Sequence, residues 1–151
     1  MPTTRAVPLH SDVVSGPLTA TFERFVHRDG PLGINETIPE GAESQVQGLV
    51  VLLENHGTRT AGCYAYEVVY LDAVNARVPI QTNHALVDHD ESSVCGVAFF
   101  VAPGERKEVR FMPNYGPIPA TAVSAEVRFV RVCDDERPRG GFRVGECWWV
   151  K

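Results

Sequence analysis

No window of the chain approaches the ~18 consecutive apolar residues of a membrane span, so no membrane partner is expected. An excess of positive charge is also missing. Lys and Arg number 14 against 19 Asp and Glu, for a formal net charge of -5, whereas affinity for a phosphate backbone rests on clustered basic residues. Nucleic acid is therefore not an expected partner. Arg137, Arg139 and Arg143 in "DDERPRGGFR" stand beside Asp134, Asp135 and Glu136, and such mixed charge reads as a solvated loop. The sequence holds no G-x-S-x-G, no H-E-x-x-H and no phosphate-cradling glycine loop, and nothing in it specifies an enzyme. The opening "MPTTRAVPLHSDVVSGPL" lacks the charged start and unbroken apolar stretch of a secretory signal. That leaves a protein kept inside the cell, a mature form, or a virus component released by lysis.

Cysteine is sparse. Cys63, Cys95, Cys133 and Cys147 are far apart with no C-x-x-C, which argues against a zinc knuckle or thioredoxin-type site. Four cysteines allow three pairings, but each lies in or beside an apolar run where a free thiol packs as a small hydrophobe. Nothing marks an oxidising compartment, so buried free thiols are expected. Cys63 and Cys95 fall inside predicted strands, where desolvation raises a thiol pKa and makes a poor nucleophile.

What the chain does have is strand patterning. With 151 residues, 44% of them hydrophobic, it fits one domain able to bury roughly 70% of its unfolded surface. "LTATFERFV" alternates Leu18, Ala20 and Phe22 against Thr19, Thr21 and Glu23, the period of a half-buried strand. "SQVQGLVVLLENHG" is apolar on both faces until Asn55-His56-Gly57, as in a central strand running into a turn. "GCYAYEVVYLD" places Tyr64, Tyr66, Val68 and Tyr70 on one face. Pro79 puts "RVPIQTNHALV" at an edge. "VCGVAFFV" and "KEVRFM" read as adjacent strands joined by a type II turn at Pro103-Gly104. "AVSAEVRFVRV" changes phase near Val130, predicting a bulge, and "FRVGECWWV" makes a last short strand. No amphipathic helix, internal repeat or low-complexity tract is present. The pattern predicts an all-β protein: a β-sandwich of about seven to eight antiparallel strands over residues 18–151, preceded by an extended N-terminal arm over 1–17.

In "GLVVLLENHGTRTAGCYAYEVVYLD" and "FFVAPGERKEVRF", an apolar strand ends in Asn-x-Gly, a second ends in Tyr-Leu-Asp, and Pro-Gly-Glu precedes a third. Over Val46 to Val132 this resembles the immunoglobulin-like domains of the CARDB and FxLYD type. The chain departs from them in the insert "NARVPIQTNHALVDHDESS" and in both terminal extensions. The resemblance implies an immunoglobulin-like sandwich acting as a non-catalytic adhesion or scaffold module.

Three places carry candidate site residues. "NHALVDHDESS" holds His84, Asp88, His89, Asp90 and Glu91. Alternate residues of an extended segment share a face, so His84, Asp88 and Asp90 could converge on a divalent cation, against the plainer reading of a solvated edge. "MPNYGPIPATA" carries Tyr115 on a loop stiffened by Pro113, Pro117 and Pro119; a pre-ordered loop loses little entropy on binding. Trp148 and Trp149 point to opposite faces if the tail is extended, which leaves one ring for a partner or for a neighbouring loop of the same chain. The arm from Met1 to Gly16 has too little periodic apolar content to order itself on one domain. The sequon Asn35 to Thr37 is short enough to arise by chance and carries no weight.

These readings lead to an expected function: a non-enzymatic structural or assembly protein working through protein contacts, a virion decoration or tail-associated subunit, without a cofactor and oligomeric or part of an assembly. Tyr115, Pro117, Trp148 and Trp149 would be its contact residues. The alternative is an extracellular or periplasmic ligand- or metal-binding module with His84, Asp88, His89 and Asp90 as ligands.

Overall fold

The computed structural model describes residues 16–27, 46–135 and 144–151. Residues 1–15 of the expected arm over 1–17, the sequon at Asn35 and the arginines at 137, 139 and 143 lie outside the described residues.

Among the described residues ten strands follow one another: β1 (Leu18–His27), β2 (Val46–Asn55), β3 (Cys63–Leu71), β4 (Arg77–Val78), β5 (Ile80–Gln81), β6 (Leu86–Val87), β7 (Asp90–Cys95), β8 (Arg106–Phe111), β9 (Ser124–Asp135) and β10 (Val144–Val150). One antiparallel sheet has the order β1-β2-β8. The other runs β10-β9-β3, and along the far side of β3 it pairs β7 with residues 63–68 and β4 with residues 70–71. A small hairpin of β5 and β6 follows Pro79, which interrupts the edge as its missing N–H requires.

The inner faces of the two sheets make the core. Leu49, Val51 and Leu53 of β2 and Val109 and Phe111 of β8 meet Tyr64, Tyr66, Val68 and Tyr70 of β3 and Phe129 of β9. Tyr66 stacks on Phe111 with ring centroids 4.1 Å apart, and Tyr64 meets Phe129 edge-on at 5.5 Å. Such aromatic pairs stabilise by roughly 0.5–1.5 kcal/mol beyond the area they bury. The tyrosine face read from the alternation of "YAYEVVY" is thus the core face. In β1 a register shift between Phe22 and Arg24 turns Phe25 back onto the core after Leu18, Ala20 and Phe22.

Local turn chemistry behaves as expected at Pro103-Gly104. Gly104 has φ of 80°, a value a Cβ disfavours, and the Glu105 N–H donates to the Ala102 carbonyl at 2.9 Å. The bulge in β9 falls at Val130, since Ala65 pairs with Arg131 and Tyr66 with Phe129.

Three expectations are corrected. "VCGVAFFV" is not a strand: β7 starts earlier, at Asp90, and ends at Cys95. Gly96 then turns the chain at φ of 126° into a 3-10 turn over Val97–Phe99. The cysteines are not free thiols. Cys63 pairs with Cys95 and Cys133 with Cys147, because the sheet register sets all four at one level, a relation that sequence spacing does not carry. Nor is one tryptophan left out. Trp148 and Trp149 are both half-buried against the core, because Cys147 pairs with Cys133 while Trp149 pairs with Val132. Trp148 is the extra residue of a bulge, and the bulge cancels the alternation that would have separated the rings.

Candidate functional site

The outer face of the five-stranded sheet carries a row of charge. Glu67 on β3 lies directly opposite Glu91 on β7 and, on its other side, directly opposite Arg128 on β9. Directly opposed side chains share a face at close range, and like charges there are destabilising. Two basic side chains lie against the Glu67–Glu91 pair. Arg128 Nη2 lies 3.5 Å from Glu67 Oε1. His89 Nε2 lies 2.8 Å from Glu91 Oε2 and 3.8 Å from Glu67 Oε2. The hydrogen bond to His89 holds the Glu91 carboxyl below the usual carboxylate range, with a smaller lowering contribution from Tyr115.

Above this row runs an open groove of about 570 Å³, bordered by Ala65, Glu67, Glu91, Ser93, Tyr115 and Arg131. Tyr115 is 42% exposed, and its Oη lies 3.2 Å from Glu91 Oε1. Burial and the two nearby acids push its phenol pKa up. The loop that carries Tyr115 is held from beneath by Asp90, one of two buried polar or charged residues among the described ones. Asp90 Oδ2 accepts the Asn114 N–H at 2.8 Å, and Oδ1 accepts the N–H groups of Tyr115 at 3.1 Å and Glu91 at 2.8 Å. Asn114 Nδ2 adds a bond to the Glu91 carbonyl at 2.8 Å. Beyond Tyr115 the backbone passes so close to the Gln81 carbonyl that a Cβ at Gly116 would collide with it. Exposed Pro117 follows.

Desolvation raises the Asp90 pKa above its ordinary 3.8, and the three backbone N–H bonds work against that rise without cancelling it. A carboxyl whose folded pKa is raised contributes stability below its unfolded pKa and loses it as pH rises through the folded value. Asp90→Asn cannot titrate and has one acceptor fewer for the three donors. The wild type is expected to be more stable than this variant at neutral pH by about 1–3 kcal/mol. That margin should widen as pH falls toward 3 in urea titrations. A margin that shrinks in acid would mean that the N–H bonds, and not burial, dominate Asp90.

Among the described residues one group of three offers metal-ligand atoms within 4.8 Å of one another: Glu67, His89 and Glu91. Of the ligands expected from sequence, only His89 belongs to it. His84 and Asp88 are exposed on and after the β5–β6 hairpin, and Asp90 faces the opposite side of β7, toward the Tyr115 loop. The strand starts only at Asp90, so the alternation does not extend back to His84 and Asp88 and does not bring them together with Asp90. Glu67 and Arg128 escaped sequence reasoning. The available signal was a charged residue inside an otherwise apolar strand, at "YEVVY" and "AEVRFV".

Trp148 and Trp149 lie apart from this groove. Arg59 reaches over Trp148, its guanidinium carbon 5.9 Å from the ring centroid, and pairs with Asp134 and, at 3.0 Å, with Glu146. A Cβ on Gly16 would meet the Trp149 ring at 2.7 Å, and one on Gly57 would meet Trp148 at 3.2 Å. Both rings therefore lie against loops of their own chain.

The described residues include no helix long and apolar enough to cross a membrane. No protein-family model, curated protein or solved structure matches this chain. The class defined by fold and site is an all-β, sandwich-like domain with two disulfides and a polar groove on one outer sheet face.

Proposed function

We propose that the chain is a non-enzymatic, immunoglobulin-like module that works by protein contact as a structural or assembly subunit, with a virion decoration or tail-associated role as its setting. The observation that carries this reading is the use of buried Asp90 to fix an exposed loop. Desolvating a carboxylate is costly, and here it orders a surface segment that presents Tyr115 and Pro117. A rigid aromatic on a pre-ordered loop is the economical form of a contact residue. The two disulfides favour a setting in which disulfides persist, such as a cell or virion surface. Trp148 and Trp149 enter this reading as the packing that holds β10 to the domain, leaving Tyr115 and Pro117 as the contact pair.

Native mass by light scattering over a range of concentrations, on the full chain and on Tyr115→Ala/Pro117→Ala, tests it. The expected result is an oligomer that the double variant turns into a folded monomer. Monomers throughout would remove self-assembly, and an unaltered oligomer would move the contact away from this loop.

A second reading, an extracellular or periplasmic metal-binding module, is favoured by the convergence of Glu67, His89 and Glu91. Mixed nitrogen and oxygen donors suit zinc or manganese, although Arg128 already serves Glu67. Stoichiometric metal in the purified protein, lost in His89→Ala, would support it, and metal-free wild type would remove it.

A further inference from the structure

The four cysteines occupy one row across four neighbouring strands. Cys63 on β3 is the direct partner of Cys95 on β7 and, on its other side, of Cys133 on β9, which in turn is the direct partner of Cys147 on β10. Directly opposed residues point to the same face of a sheet. The sulfurs therefore follow the order 95, 63, 133, 147, with a disulfide at each end of the row and no bond across its middle. Opposed residues in an antiparallel pair have Cα atoms ~4.5–5.5 Å apart, which falls within the span a disulfide bridges. The register thus sets Cys63 and Cys133 within that span as well.

Exposure grades along the same row. Cys63 and Cys133 are buried, Cys95 is half-buried, and Cys147 is exposed. An external thiol finds its opening at the Cys147 end.

We propose that this row is a disulfide relay that accepts a thiol at Cys147 and delivers a free thiol at Cys95. In the first step the thiolate of the incoming molecule attacks Cys147 Sγ. A new bond joins that molecule to Cys147, the Cys133–Cys147 bond breaks, and the electron pair leaves on Cys133 Sγ. In the second step Cys133 Sγ, which comes from the strand on the other side of Cys63 from Cys95, attacks Cys63 Sγ. The Cys63–Cys133 bond forms, the Cys63–Cys95 bond breaks, and Cys95 leaves as thiolate and takes up a proton. One thiol is consumed and one appears, with no net oxidation and no further reactant. The intermediate Cys133 thiolate sits where burial disfavours charge, between two electrophiles: Cys63 on one side and the mixed disulfide on Cys147 on the other, attack on which merely reverses the first step. The result is a partner held covalently at β10, a new link between β3 and β9, and β7 released from its staple.

The test uses the oxidised full chain, reduced glutathione at equimolar amount, and a quench with an alkylating reagent. Trypsin then places the four cysteines on four separate peptides, by cleavage after Arg59, Arg77, Arg106, Arg131, Arg139 and Arg143. The expected products are glutathione on Cys147, a Cys63–Cys133 linked peptide, and alkylation of Cys95. Glutathione on Cys147 with alkylated Cys133 and an intact Cys63–Cys95 link would overturn the relay, as would attack confined to Cys95. A second arm uses Cys147→Ser, which leaves Cys133 as a thiol. Exchange between two like linkages should then place about half of the chains in the Cys63–Cys133 form. Cys63–Cys95 as the sole linkage would again overturn the proposal. If the variant fails to fold, the glutathione arm on the natural chain decides alone.

Discussion

Replacing Cys63, Cys95, Cys133 and Cys147 together by alanine is expected to cost about 6 kcal/mol and to leave the chain largely unfolded at 37 °C. The two bonds close loops of 32 and 14 residues in sequence separation. In the chain-entropy account such loops correspond to roughly 3–4 and 3 kcal/mol of restraint on the unfolded chain. A domain of this size is stable by only ~5–15 kcal/mol in total, so the loss competes with the whole margin. Removing one pair should be survivable. Cys133→Ala/Cys147→Ala frees only the β10 end, where Trp148, Trp149 and Arg59 still hold the strand, and should lower stability by about 3 kcal/mol. Urea unfolding of the oxidised chain, the fully reduced chain, Cys133→Ala/Cys147→Ala and Cys63→Ala/Cys95→Ala gives the ledger directly. If full reduction moves stability by less than ~1 kcal/mol, the unfolded chain is already restrained near these residues and the staples contribute little.

The disulfides also mark the boundary of what the sequence made readable. Strands β1, β2, β3 and β8, the type II turn and the Val130 bulge could be read because alternation and turn chemistry are local. The tyrosine face of β3 needed only its own period. What escaped depends on register between distant strands. Cys63 meets Cys95 and Cys133 only after β7 and β9 are laid on either side of β3. Glu67 meets Glu91 and Arg128 by the same geometry, so the ion row stayed invisible although each of its members is conspicuous in the sequence. Trp148 failed in a different way. Its strand was foreseen, but a bulge set by the pairing of Cys147 overrode the local period. For the candidate site, Tyr115 and His89 were flagged separately as contact residue and ligand. Their approach to one groove through Glu91 is a tertiary fact.

Asn55→Ala is expected to cost about 2–3 kcal/mol. Asn55 ends β2 and is 1% exposed. Its Nδ2 donates to the carbonyls of Arg59 at 2.9 Å and Val101 at 2.8 Å, and its Oδ1 accepts the Gly57 N–H at 2.9 Å. Its backbone N–H donates to the Glu105 carbonyl, and its carbonyl accepts the Gly104 N–H. One side chain thus ties the turn after β2 to the segment leading into β8. Alanine leaves the Gly57 donor without this acceptor and the Arg59 carbonyl without this donor, both half-buried, where a group left unpaired costs toward the lower end of roughly 1–3 kcal/mol. The Val101 carbonyl fares better, since it also accepts the Ala61 N–H at 3.0 Å. Asn55→Asp separates this account from simple loss of volume. Aspartate matches the shape but turns a carboxylate toward two carbonyl oxygens, which raises its folded pKa above the unfolded value of about 3.9. The variant should then be most stable below that value and lose stability as pH rises through the folded pKa. Urea midpoints for Asn55→Asp at pH 4 and pH 7 should therefore fall with rising pH relative to the parent chain. Parallel midpoints at the two values would show that the carboxyl escapes the two carbonyls, and that Asn55 holds the turn by its backbone alone.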